Sequence, residues 1–531
     1  MLVSIFNDVI GPVMRGPSSS HSAAALRIGR VARDLMDGAF EEVLVEFDRH
    51  GSLPTTHETQ GSDMGLAAGL MGWEADDERL PNAMELLRES GVRLRIETVD
   101  VGDPHPNTYR LTLRRGGESR FLRAISTGGG MIEVLNVDGF RVSMVGDCFE
   151  TLVWVRGRAT EAARELGTRL SGHAVLVHEA GGDHVVEVKA DAFVDDEFLA
   201  ELTSRFDVLA VRRLRPVLPV ITRRDNSVPF TTCAEMLRHD AGRNTPLWRL
   251  AVVYESARSG LTEMEVMSRM EEIVRLLRRS IAQGVAGTRY EARVLGHQSG
   301  RFKDLMESGR LLDGGVLNRI ILYVTALMEV KSALGLIVAA PTAGACAALP
   351  GAVIATAEAM GLGELEMARA MLAGGLIGVF IAGQWSFAAE MGGCQAECGS
   401  AACMAAGALV DMAGGTPTQS VAASSLALQS MLGLICDPVA NRVEAPCLSK
   451  NVMAASHALA CANMALAGYD PVIPLDEVIA AARGVAGQMP REWRCTGLGG
   501  LSITPTSLAL GEKLASGGVS CGAACAACVA T

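Results

Sequence analysis

The sequence predicts an α+β protein made of three consecutive parts. In the first part, β-branched and polar residues alternate at 43–48 and 92–101, which indicates strands, and residues 84–90 indicate a helix. In the second part, residues 151–214 follow the order strand, helix, strand, strand, helix, strand. From about residue 233, Gly- and Ala-rich helical segments between Gly and Pro turns predict an all-α domain. We therefore expect domains at residues 1–148, 149–222 and 223–531.

The second part has the βαββαβ element order of a ferredoxin-like fold. Its six segments are TLVWVRG, TEAARELGTRLS, HAVLVHEA, DHVVEVKA, DDEFLAELTSRF and VLAVRRL. The unit resembles the ACT domain, which senses small molecules in enzymes of amino-acid metabolism. Because a fold does not imply a function, a structural spacer and an unliganded dimerisation module remain alternatives to a regulatory domain.

The third part contains two distinctive helical segments. Residues 264–284 carry apolar residues at three- and four-residue spacing, and Gly284 is the predicted end of that helix. The segment Met371–Ala389 has no charged residue and is the most membrane-like stretch of the chain. It contains five Gly or Ser residues, a Gln and a Trp, which favours a buried helix over a membrane span. We expect no membrane partner.

The composition excludes several classes of protein. The 531 residues include 48 Lys and Arg and 60 Asp and Glu, and the resulting net charge of −12 repels nucleic-acid phosphates. Charged residues at 20% and hydrophobic residues at 49% exclude wholesale disorder. The 58 Gly residues indicate either close helix packing or tight turns around a ligand. We expect a folded protein with no nucleic-acid partner.

The first residues and the cysteine content predict a cytoplasmic protein with free thiols. The start, MLVSIFNDVIGPVMRG, has no basic segment, no long apolar segment and no small-residue cleavage site. The 13 Cys residues are too sparse for a disulfide scaffold, and their number is odd. In a reducing cytoplasm such thiols are available as metal ligands.

Three cysteines have unusual local sequences. Cys394 lies in GGCQAE, Cys436 in LICDPV and Cys447 in EAPCLSKN. Because Pro438 and Pro446 flank two of them, these thiols are expected on turns rather than inside helices. Soft thiolates without a C-x-x-C pair suit an iron–sulfur cluster or zinc, but a buried Cys also serves as a small apolar residue. Spacing alone leaves both interpretations open.

Seven motifs together resemble one enzyme family. They are GPVMRGPSSSHSAAALRIG near the start, DPHPNTYR (103–110), GGGMI (128–132), AAPTAGACAALPG (339–351), GGCQAECGSA (392–401), CDPVANRVEAPCLSKN (436–451) and MPREWRCTGLGGL (489–501). In these motifs, which follow the family order over nearly the whole chain, the sequence is similar to iron–sulfur-dependent L-serine dehydratases. The resemblance implies a β-type domain at 1–148 fused to an α-type catalytic domain at 223–531, with the ACT-like unit between them.

The resemblance implies a 4Fe–4S cluster held by Cys394, Cys436 and Cys447, with one iron free of protein ligands. Such an iron acts as a Lewis acid on the substrate carboxylate and β-hydroxyl, and L-serine is converted to pyruvate and ammonia. A small amino-acid substrate and a homodimer or higher homo-oligomer are expected. The alternatives are a lyase for cysteine, threonine or 3-hydroxyaspartate, a non-catalytic amino-acid or redox sensor, and a zinc-binding structural protein.

The family pattern also implies the residues around the substrate. They are His21 for proton transfer and Ser18, Ser19, Ser20, Asp63, Asn107, Thr342, Gly344, Gln395 and Glu397 for substrate binding or ligand orientation. The serine run has a second interpretation as the cap of a helix predicted from Ala23 to Met36. Likewise, Asn107 is either a substrate-side polar group or a turn residue, and Glu397 either a site residue or a buried paired carboxylate.

Two residues depart from the family pattern near the expected site. The family commonly has a G-H-G-T-D motif whose His is a candidate base, whereas here Gln60 stands at that position in THETQGSD. An amide is no general base near neutral pH, and His57 replaces the missing His only if the loop is rearranged. Lys331 stands where the family usually has Asn, as a buried base or carboxylate-binding group or else as a solvated helix residue. Both departures place the exact substrate in question.

The last residues add three further cysteines, Cys521, Cys525 and Cys528. Some single-chain relatives end in a Cys that binds the open iron, so Cys528 is a possible fourth ligand here. The C-x3-C-x2-C spacing resembles the cluster motif of radical SAM enzymes, but no barrel follows it to hold the nucleotide. A flexible tail that scavenges metal is the simpler interpretation of this Cys-, Ala- and Gly-rich composition.

Overall fold

The computed structural model describes residues 2–169, 174–222, 226–289 and 292–516. The described residues form a mixed α+β structure with sheets in the N-terminal half and helices in the C-terminal half, as predicted. Three hydrophobic cores underlie this division. One belongs to the N-terminal sheet, one to the middle unit and the largest to the helical region.

The N-terminal region folds around a six-stranded sheet. Its elements are β1 Val13–Met14, α1 Ala24–Leu35, β2 Glu42–Asp48, α2 Leu53–Thr56, α3 Ser62–Leu70, α4 Ala83–Glu89, β3 Arg93–Val99, β4 Thr108–Arg115, β5 Glu118–Gly128, β6 Met131–Val137 and β7 Phe140–Met144. The sheet order is β3-β2-β4-β5-β6-β7, and only β2 and β3 pair in parallel. The strands predicted at 43–48 and 92–101 and the helix at 84–90 are therefore confirmed.

Helices α1 and α3 pack against each other unusually closely through glycine. A Cβ atom added at Gly65 would lie 2.0 Å from the Ser22 carbonyl oxygen, and one at Gly69 would lie 2.0 Å from that of Leu26. Only glycine permits this approach, so close helix packing accounts for part of the high glycine content.

The middle unit contains the six predicted elements in the predicted order. They are β8 Phe149–Arg156, α5 Ala159–Arg169, β9 Ala174–Ala180, β10 Asp183–Ala190, α6 Asp196–Arg205 and β11 Asp207–Leu214. The strands form an antiparallel sheet in the order β11-β8-β10-β9. Leu166 of α5 and Phe198 and Leu202 of α6 are buried in the core that the sheet and the two helices share.

The described residues of the C-terminal region form helices, loops and one short strand. Its elements are α7 Cys233–Asp240, α8 Leu247–Ser259, α9 Glu263–Ala286, α10 Ser299–Glu307, α11 Val316–Ser332, β12 Ile337–Val338, α12 Ala348–Ala359, α13 Glu364–Gln384, α14 Ala389–Gly392, α15 Ser400–Met412, α16 Pro417–Gln429, α17 Cys447–Leu466, α18 Leu475–Gln488 and α19 Pro505–Ser516. Helix α15 is buried along nearly its whole length and packs against α12, α13, α16 and α17.

Two predictions for this region were wrong in detail. The region is not all-α, because β12 pairs antiparallel with β1 and so ties the helical region to the N-terminal segment. The helix predicted to end at Gly284 continues to Ala286. Gly284 is a packing residue, since a Cβ there would lie 2.3 Å from the carbonyl oxygen of Ala326 on α11.

The first residues of the chain pack into the helical core. A π-helical turn at Ile5–Val9 buries Ile5, Phe6 and Val9 there. The Ser4 hydroxyl donates to Oε1 of Glu255 on α8 at 2.7 Å. Together with the β1–β12 pairing, these contacts anchor the segment that leads into the serine run at residue 18.

Helix α13 is the one helix among the described residues that is long and apolar enough to cross a membrane. In its most apolar window, 78% of the residues are buried inside the protein. A core helix accounts for this burial, as predicted for Met371–Ala389, although the helix begins earlier and ends at Gln384.

Candidate functional site

Five buried cysteine thiols lie close together where the helical region meets the N-terminal region. They are Cys394, Cys398, Cys436, Cys447 and Cys495, which we call the thiol cluster. The thiols of Cys394 and Cys436 and a carboxylate oxygen of Glu397 all lie within 4.8 Å of one another. These three groups can hold a metal ion, and the structure thus brings two of the three predicted ligands into one group.

The backbone around the thiol cluster is held by specific contacts. Cys394 precedes a π-helical turn at Gln395–Gly399, Cys436 lies in a loop and Cys447 is the first residue of α17. None lies in the middle of a helix, as predicted. The side chain of Gln395 donates to the Ala482 carbonyl at 3.2 Å and accepts from the Gly433 backbone N–H at 2.9 Å. Gln395 therefore orients the loop that carries Cys436.

The charges within the thiol cluster favour a thiolate at Cys394. Thiol hydrogen bonds from Cys398 and Cys436, with Lys450 nearby, hold the pKa of Cys394 well below its ordinary value. The ammonium of Lys450 lies 3.7 Å from the Cys394 sulfur and 2.6 Å from Oδ1 of Asp437. This buried cation offsets negative charge at the sulfur atoms.

The 342–345 turn contacts the cluster through Glu397. The Thr342 hydroxyl donates to Oε1 of Glu397 at 2.7 Å, and a Cβ at Gly344 would lie 2.8 Å from the same oxygen. Burial and the neighbouring Cys394 raise the pKa of Glu397 to about 8. Because Gly344 leaves room for this carboxyl group, Thr342 and Gly344 act on the site through Glu397 in this structure.

His21 lies in a π-helical turn at Ser19–Ala23, directly before α1. Its Nε2 is 2.8 Å from the Thr56 hydroxyl, which itself donates to the Ser52 carbonyl at 2.8 Å. Nε2 must therefore carry the proton, and Nδ1 keeps its lone pair. Nδ1 lies 3.0 Å from the Ser18 hydroxyl. Burial and the nearby His57 lower the pKa of His21 to about 3, so the imidazole is neutral.

The serine run organises this turn instead of capping α1. Ser18 stands at the N-cap position of the turn, but its side chain makes no capping hydrogen bond and contacts His21 instead. The Ser19 hydroxyl accepts from the Ala343 backbone N–H at 3.1 Å, which joins the turn to the 342–345 segment. Ser20 is buried beside them. Helix α1 begins at Ala24, one residue after the predicted start.

Glu390 links His21 to the thiol cluster. Its Oε1 lies 3.5 Å from Nδ1 of His21, its side chain contacts Asn107, and the Cys394 thiol is near enough to influence its pKa. Burial raises the pKa of Glu390 to about 7. Oε2 of Glu390 and Nδ2 of Asn107 are buried without a well-formed hydrogen bond among the described residues. The Asn107 amide nevertheless faces the carboxyl group of Glu390 closely enough to lower its pKa, so the two side chains partner each other.

Gln60, which stands where the family commonly has His, and the nearby His57 have different surroundings. Gln60 is buried, and its Nε2 lies 3.3 Å from the sulfur of Cys495. His57 instead pairs with Asp63, at 2.7 Å between Nδ1 and Oδ1. Although partial burial lowers the pKa of His57, the hydrogen bond and charge of Asp63 raise it above its ordinary value. Asp63 is thus engaged by His57.

Lys331 is completely buried in the last turn of α11, so its interpretation as a solvated helix residue is wrong. Its ammonium donates to the Val443 carbonyl and is close enough to Glu397 and Cys447 to influence their pKa values. The structure thus places a buried cation on the α11 side of the thiol cluster.

Two large cavities lie between residues that are not part of the thiol cluster. One of about 800 Å³ is lined by residues such as Arg27, Glu74 and Arg279, and one of about 930 Å³ by Arg278 and Glu358. A small cavity of about 10 Å³ lies between Pro17 and Val443. His21 and Glu390 are themselves buried.

Comparison with known proteins identifies the family of this chain. A family model for the serine dehydratase alpha chain matches residues 232–502, more than half of the chain. The chain belongs to the serine dehydratase family. A probable L-serine dehydratase alpha chain of Bacillus subtilis (strain 168) is 39% identical over 256 residues, which cover 48% of this chain and 85% of that relative.

Other serine dehydratase relatives match the rest of the chain. The probable beta chain of the Bacillus enzyme is 32% identical over 221 residues, which cover 40% of this chain and 97% of that relative. An L-serine dehydratase of Streptomyces coelicolor (strain ATCC BAA-471 / A3(2) / M145) is 28% identical over 520 residues, 95% of this chain and 99% of its own. The resemblance found in the sequence motifs is confirmed over both parts.

Four residues of this serine dehydratase site were not predicted from the sequence. They are Cys398, Cys495, Glu390 and Lys450. The C-x3-C spacing of Cys394 and Cys398, one helical turn, was an available signal, and Cys495 and Lys450 lie inside motifs already noted. Glu390 lies outside these motifs and only the fold reveals it. The predicted tail ligand Cys528, with Cys521 and Cys525, lies outside the described residues.

Proposed function

We propose that this protein converts L-serine to pyruvate and ammonia with the help of a 4Fe–4S cluster. The observation that carries the proposal is the position of Glu390, which joins a neutral buried imidazole, His21, to the buried thiol of Cys394. A buried imidazole and a set of soft metal ligands thus lie near the same buried carboxyl group. Relatives named L-serine dehydratase support the choice of substrate.

Cys394, Cys436 and Cys447 would hold the cluster. Their donor chemistry fits iron–sulfur ligation, because thiolates are the preferred ligands and all three thiols are buried beside Lys450. When bound, a cluster with an iron free of protein ligands supplies a Lewis acid for the carboxylate and β-hydroxyl of the substrate. Lys331 and Lys450 would offset the negative charge of the thiolates from two sides.

His21 is the proposed acceptor of the substrate's Cα proton. In the free protein the imidazole is unprotonated, and Thr56 holds the tautomer in which Nδ1 carries the lone pair. The Ser18 hydroxyl contacts the same nitrogen and would move aside or relay the proton when substrate binds. A base positioned in this way contributes about 10²–10⁴-fold to the rate.

The polar groups around His21 would bind the amino-acid substrate. The carboxyl group of Glu390 suits the α-ammonium group, and the amide N–H of Asn107 suits a carboxylate oxygen. Ser18, Ser19 and Ser20 line the same turn, while Glu397 would face the substrate from the cluster side. The remaining predicted residues would act indirectly: Thr342 and Gly344 through Glu397, Gln395 through the Cys436 loop, Asp63 through His57, and Gln60 and Lys331 through the thiols.

The domain organisation forms part of the proposal. We assign a β-type domain to residues 1–148, an ACT-like domain of ferredoxin-like fold to 149–222, and the cluster-binding α-type domain to 223–531. The antiparallel order β11-β8-β10-β9 with two helices supports the middle assignment. We also propose that the protein forms a homo-oligomer in the cytoplasm and has no membrane or nucleic-acid partners.

The test uses the full chain, purified and reconstituted with iron and sulfide without oxygen. We expect bound iron, the brown absorbance of a cluster, and equal amounts of pyruvate and ammonia from L-serine. Cys394→Ser and Cys436→Ser should lose both the colour and the activity, whereas Cys403→Ser, a buried thiol in α15, should keep them. Full activity of either ligand variant would contradict the cluster. Faster ammonia release from threonine, cysteine or 3-hydroxyaspartate would contradict the substrate.

A further inference from the structure

The cavity of about 800 Å³ lies where α1 of the N-terminal region meets α9 of the helical region. The 11–13 segment before the serine run and the 216–219 segment after β11 also line it. Small-molecule sites usually have volumes of about 300–1,000 Å³, so this cavity is large enough for an organic ligand. We call it the arginine cleft, because five arginines line it: Arg27, Arg30, Arg269, Arg275 and Arg279.

The arginine cleft carries an excess of positive charge. Its five arginines are accompanied by three acidic lining residues, Glu74, Asp76 and Glu272. Two positive charges are therefore in excess, whereas the whole chain has a net charge of −12. One of the three carboxylates is already engaged, since Oε2 of Glu74 lies 2.5 Å from Nη1 of Arg30. The cleft is thus a local attractor of anions on an acidic protein.

Arg27 is the buried cation of the cleft, with an exposed fraction of 4%. Its guanidinium donates to the Gly130 carbonyl at 2.6 Å and lies 3.8 Å from the sulfur of Met131, and both of these partners are neutral. Among the described residues no carboxylate pairs with it directly, and the charges of Asp8 and Glu74 act on it from a greater distance. Burial lowers the pKa of Arg27 to about 10, so the group stays charged near neutral pH.

Arginines of two different elements can share one ligand in this cleft. Arg27 lies on α1, whereas Arg269 and Arg279 lie on α9. A guanidinium binds a carboxylate or a phosphate through two parallel N–H groups, so either anion suits these side chains. A buried charge without a direct partner is costly, and an anion beside Arg27 would offset that cost. A ligand with two negative charges would balance the whole excess.

We propose that the arginine cleft binds a small organic dianion, whose negative charges are shared by Arg27 and the arginines of α9. Phosphate esters and dicarboxylates have this chemistry in common. A zwitterion such as L-serine has no net charge and would leave the excess unbalanced. The binding site does not depend on the proposed reaction, because none of its lining residues belongs to the thiol cluster.

Arg27 also connects the cleft to the candidate site. It lies on α1, which directly follows the π-helical turn of the serine run. The carbonyl group that it contacts belongs to Gly130, and two residues earlier a Cβ at Gly128 would lie 2.8 Å from the backbone nitrogen of Ala388. Ala388 is the N-cap of α14, which contains Glu390. A bound dianion should therefore change KM for L-serine by about fivefold or more, a consequence that rests on the proposed function.

The test is isothermal titration calorimetry on the full chain reconstituted with iron and sulfide without oxygen. Glycerol 3-phosphate and succinate are the probes at about pH 7.5, where each carries two negative charges, and glycerol is the neutral control. We expect a Kd below about 1 mM for at least one dianion and no detectable binding of glycerol. Binding of one probe alone would support the site and identify its ligand as a phosphate ester or a dicarboxylate. Binding of neither would overturn the inference.

Two variants test the residues of the cleft. Arg27→Gln should weaken binding at least about tenfold, and Arg269→Gln, at a partly exposed position that does not endanger the fold, about fivefold. Arg278→Gln is the matched control, because Arg278 also lies on α9 but lines the other large cavity, and it should bind as the parent does. Parental affinity in both Arg27→Gln and Arg269→Gln would overturn the site, and so would an equal loss in Arg278→Gln.

The outcomes also separate this inference from the proposed function. A chain that binds a dianion through Arg27 but does not turn over L-serine would remove the proposed function and leave the site intact. Turnover of L-serine without binding of either dianion would do the reverse. Binding with an unchanged KM would refute the connection between the cleft and the candidate site.

Discussion

Nδ1 of His21 lies 3.5 Å from Oε1 of Glu390, yet the two side chains do not form an ordinary ion pair. Burial lowers the pKa of His21 to about 3 and raises that of Glu390 to about 7. Near neutral pH the imidazole is therefore neutral, and the carboxyl group is divided between its two forms. The two buried groups therefore meet without a salt bridge between them.

Replacing His21 tests the proton acceptor. His21→Gln keeps a polar side chain near Thr56 but has no basic nitrogen, so we expect kcat with L-serine to fall by about 10²–10⁴-fold. The iron content should not change, because His21 is not a proposed ligand. The control is His50→Gln, a surface position whose side chain is 70% exposed. A His21→Gln enzyme with parental kcat would contradict the role.

Replacing Glu390 tests substrate binding. Glu390→Gln cannot pair with an ammonium group, and we expect KM for L-serine to rise about tenfold or more, which corresponds to at least about 1.4 kcal/mol. The cluster absorbance should remain. Glu307→Gln, whose side chain is 61% exposed, is the matched control and should leave KM unchanged. An unchanged KM in Glu390→Gln would place the ammonium group elsewhere.

The Lys450–Asp437 pair is expected to serve both stability and metal binding. Lys450→Met leaves the buried Asp437 carboxylate without its cation, which costs about 3–5 kcal/mol in similar cases. The double variant Lys450→Met with Asp437→Asn should recover much of that stability. It should still bind iron less well than the parent, because the cation beside Cys394 is missing. Chemical unfolding and iron analysis separate the two effects, and full iron binding in the double variant would refute the second one.

The buried carboxyl group of Glu255 is expected to make the stability of the protein depend on pH. Burial raises its pKa from 4.5 to about 7, so the folded protein holds a proton that the unfolded chain has already lost. This contribution to stability is present below about pH 4.5 and is lost as the pH rises to about 7, with a total of up to about 3 kcal/mol. Glu255→Gln should reduce the fall in melting temperature across this range. Glu78→Gln, with a side chain 92% exposed, should not.

Two glycine-to-alanine changes should have opposite effects on stability. At Gly284 in α9 the new Cβ would collide with the Ala326 backbone of α11, which is expected to cost about 1–3 kcal/mol. At Gly484 in α18 a new Cβ would meet no other described residue within 4 Å, and Ala should add up to about 1 kcal/mol through its helix propensity. Thermal unfolding of the two variants provides the comparison. A stable Gly284→Ala protein would show that the two helices can separate at no cost.

Much of the fold was predictable because its signals are local. Alternating apolar residues marked β2 and β3, and helical periodicity marked α4, α5 and α6. The end of α9 was misjudged because a glycine is either a helix stop or a contact point. Only the neighbouring helix α11 decides between these roles for Gly284.

The candidate site was predictable only where a motif was distinctive. Cys394 and Cys436 were named and come together with Glu397. The roles of Gln60 and Lys331 could not be judged, because a polar side chain in a sequence gives no indication of its burial. The fold shows both to be buried, Gln60 against Cys495 and Lys331 against the Val443 carbonyl.

The sequence alone determined the order of sheet and helical regions and the family, and it named the thiols that we propose as metal ligands, because periodicity and motif composition are properties of neighbouring residues. The tertiary structure decided which distant groups meet: Glu390 with His21, and Cys495 with Cys436 and Gln60. These contacts join segments up to 435 positions apart. Their energy comes from burial and hydrogen bonding across the folded core, which no local pattern of residues records.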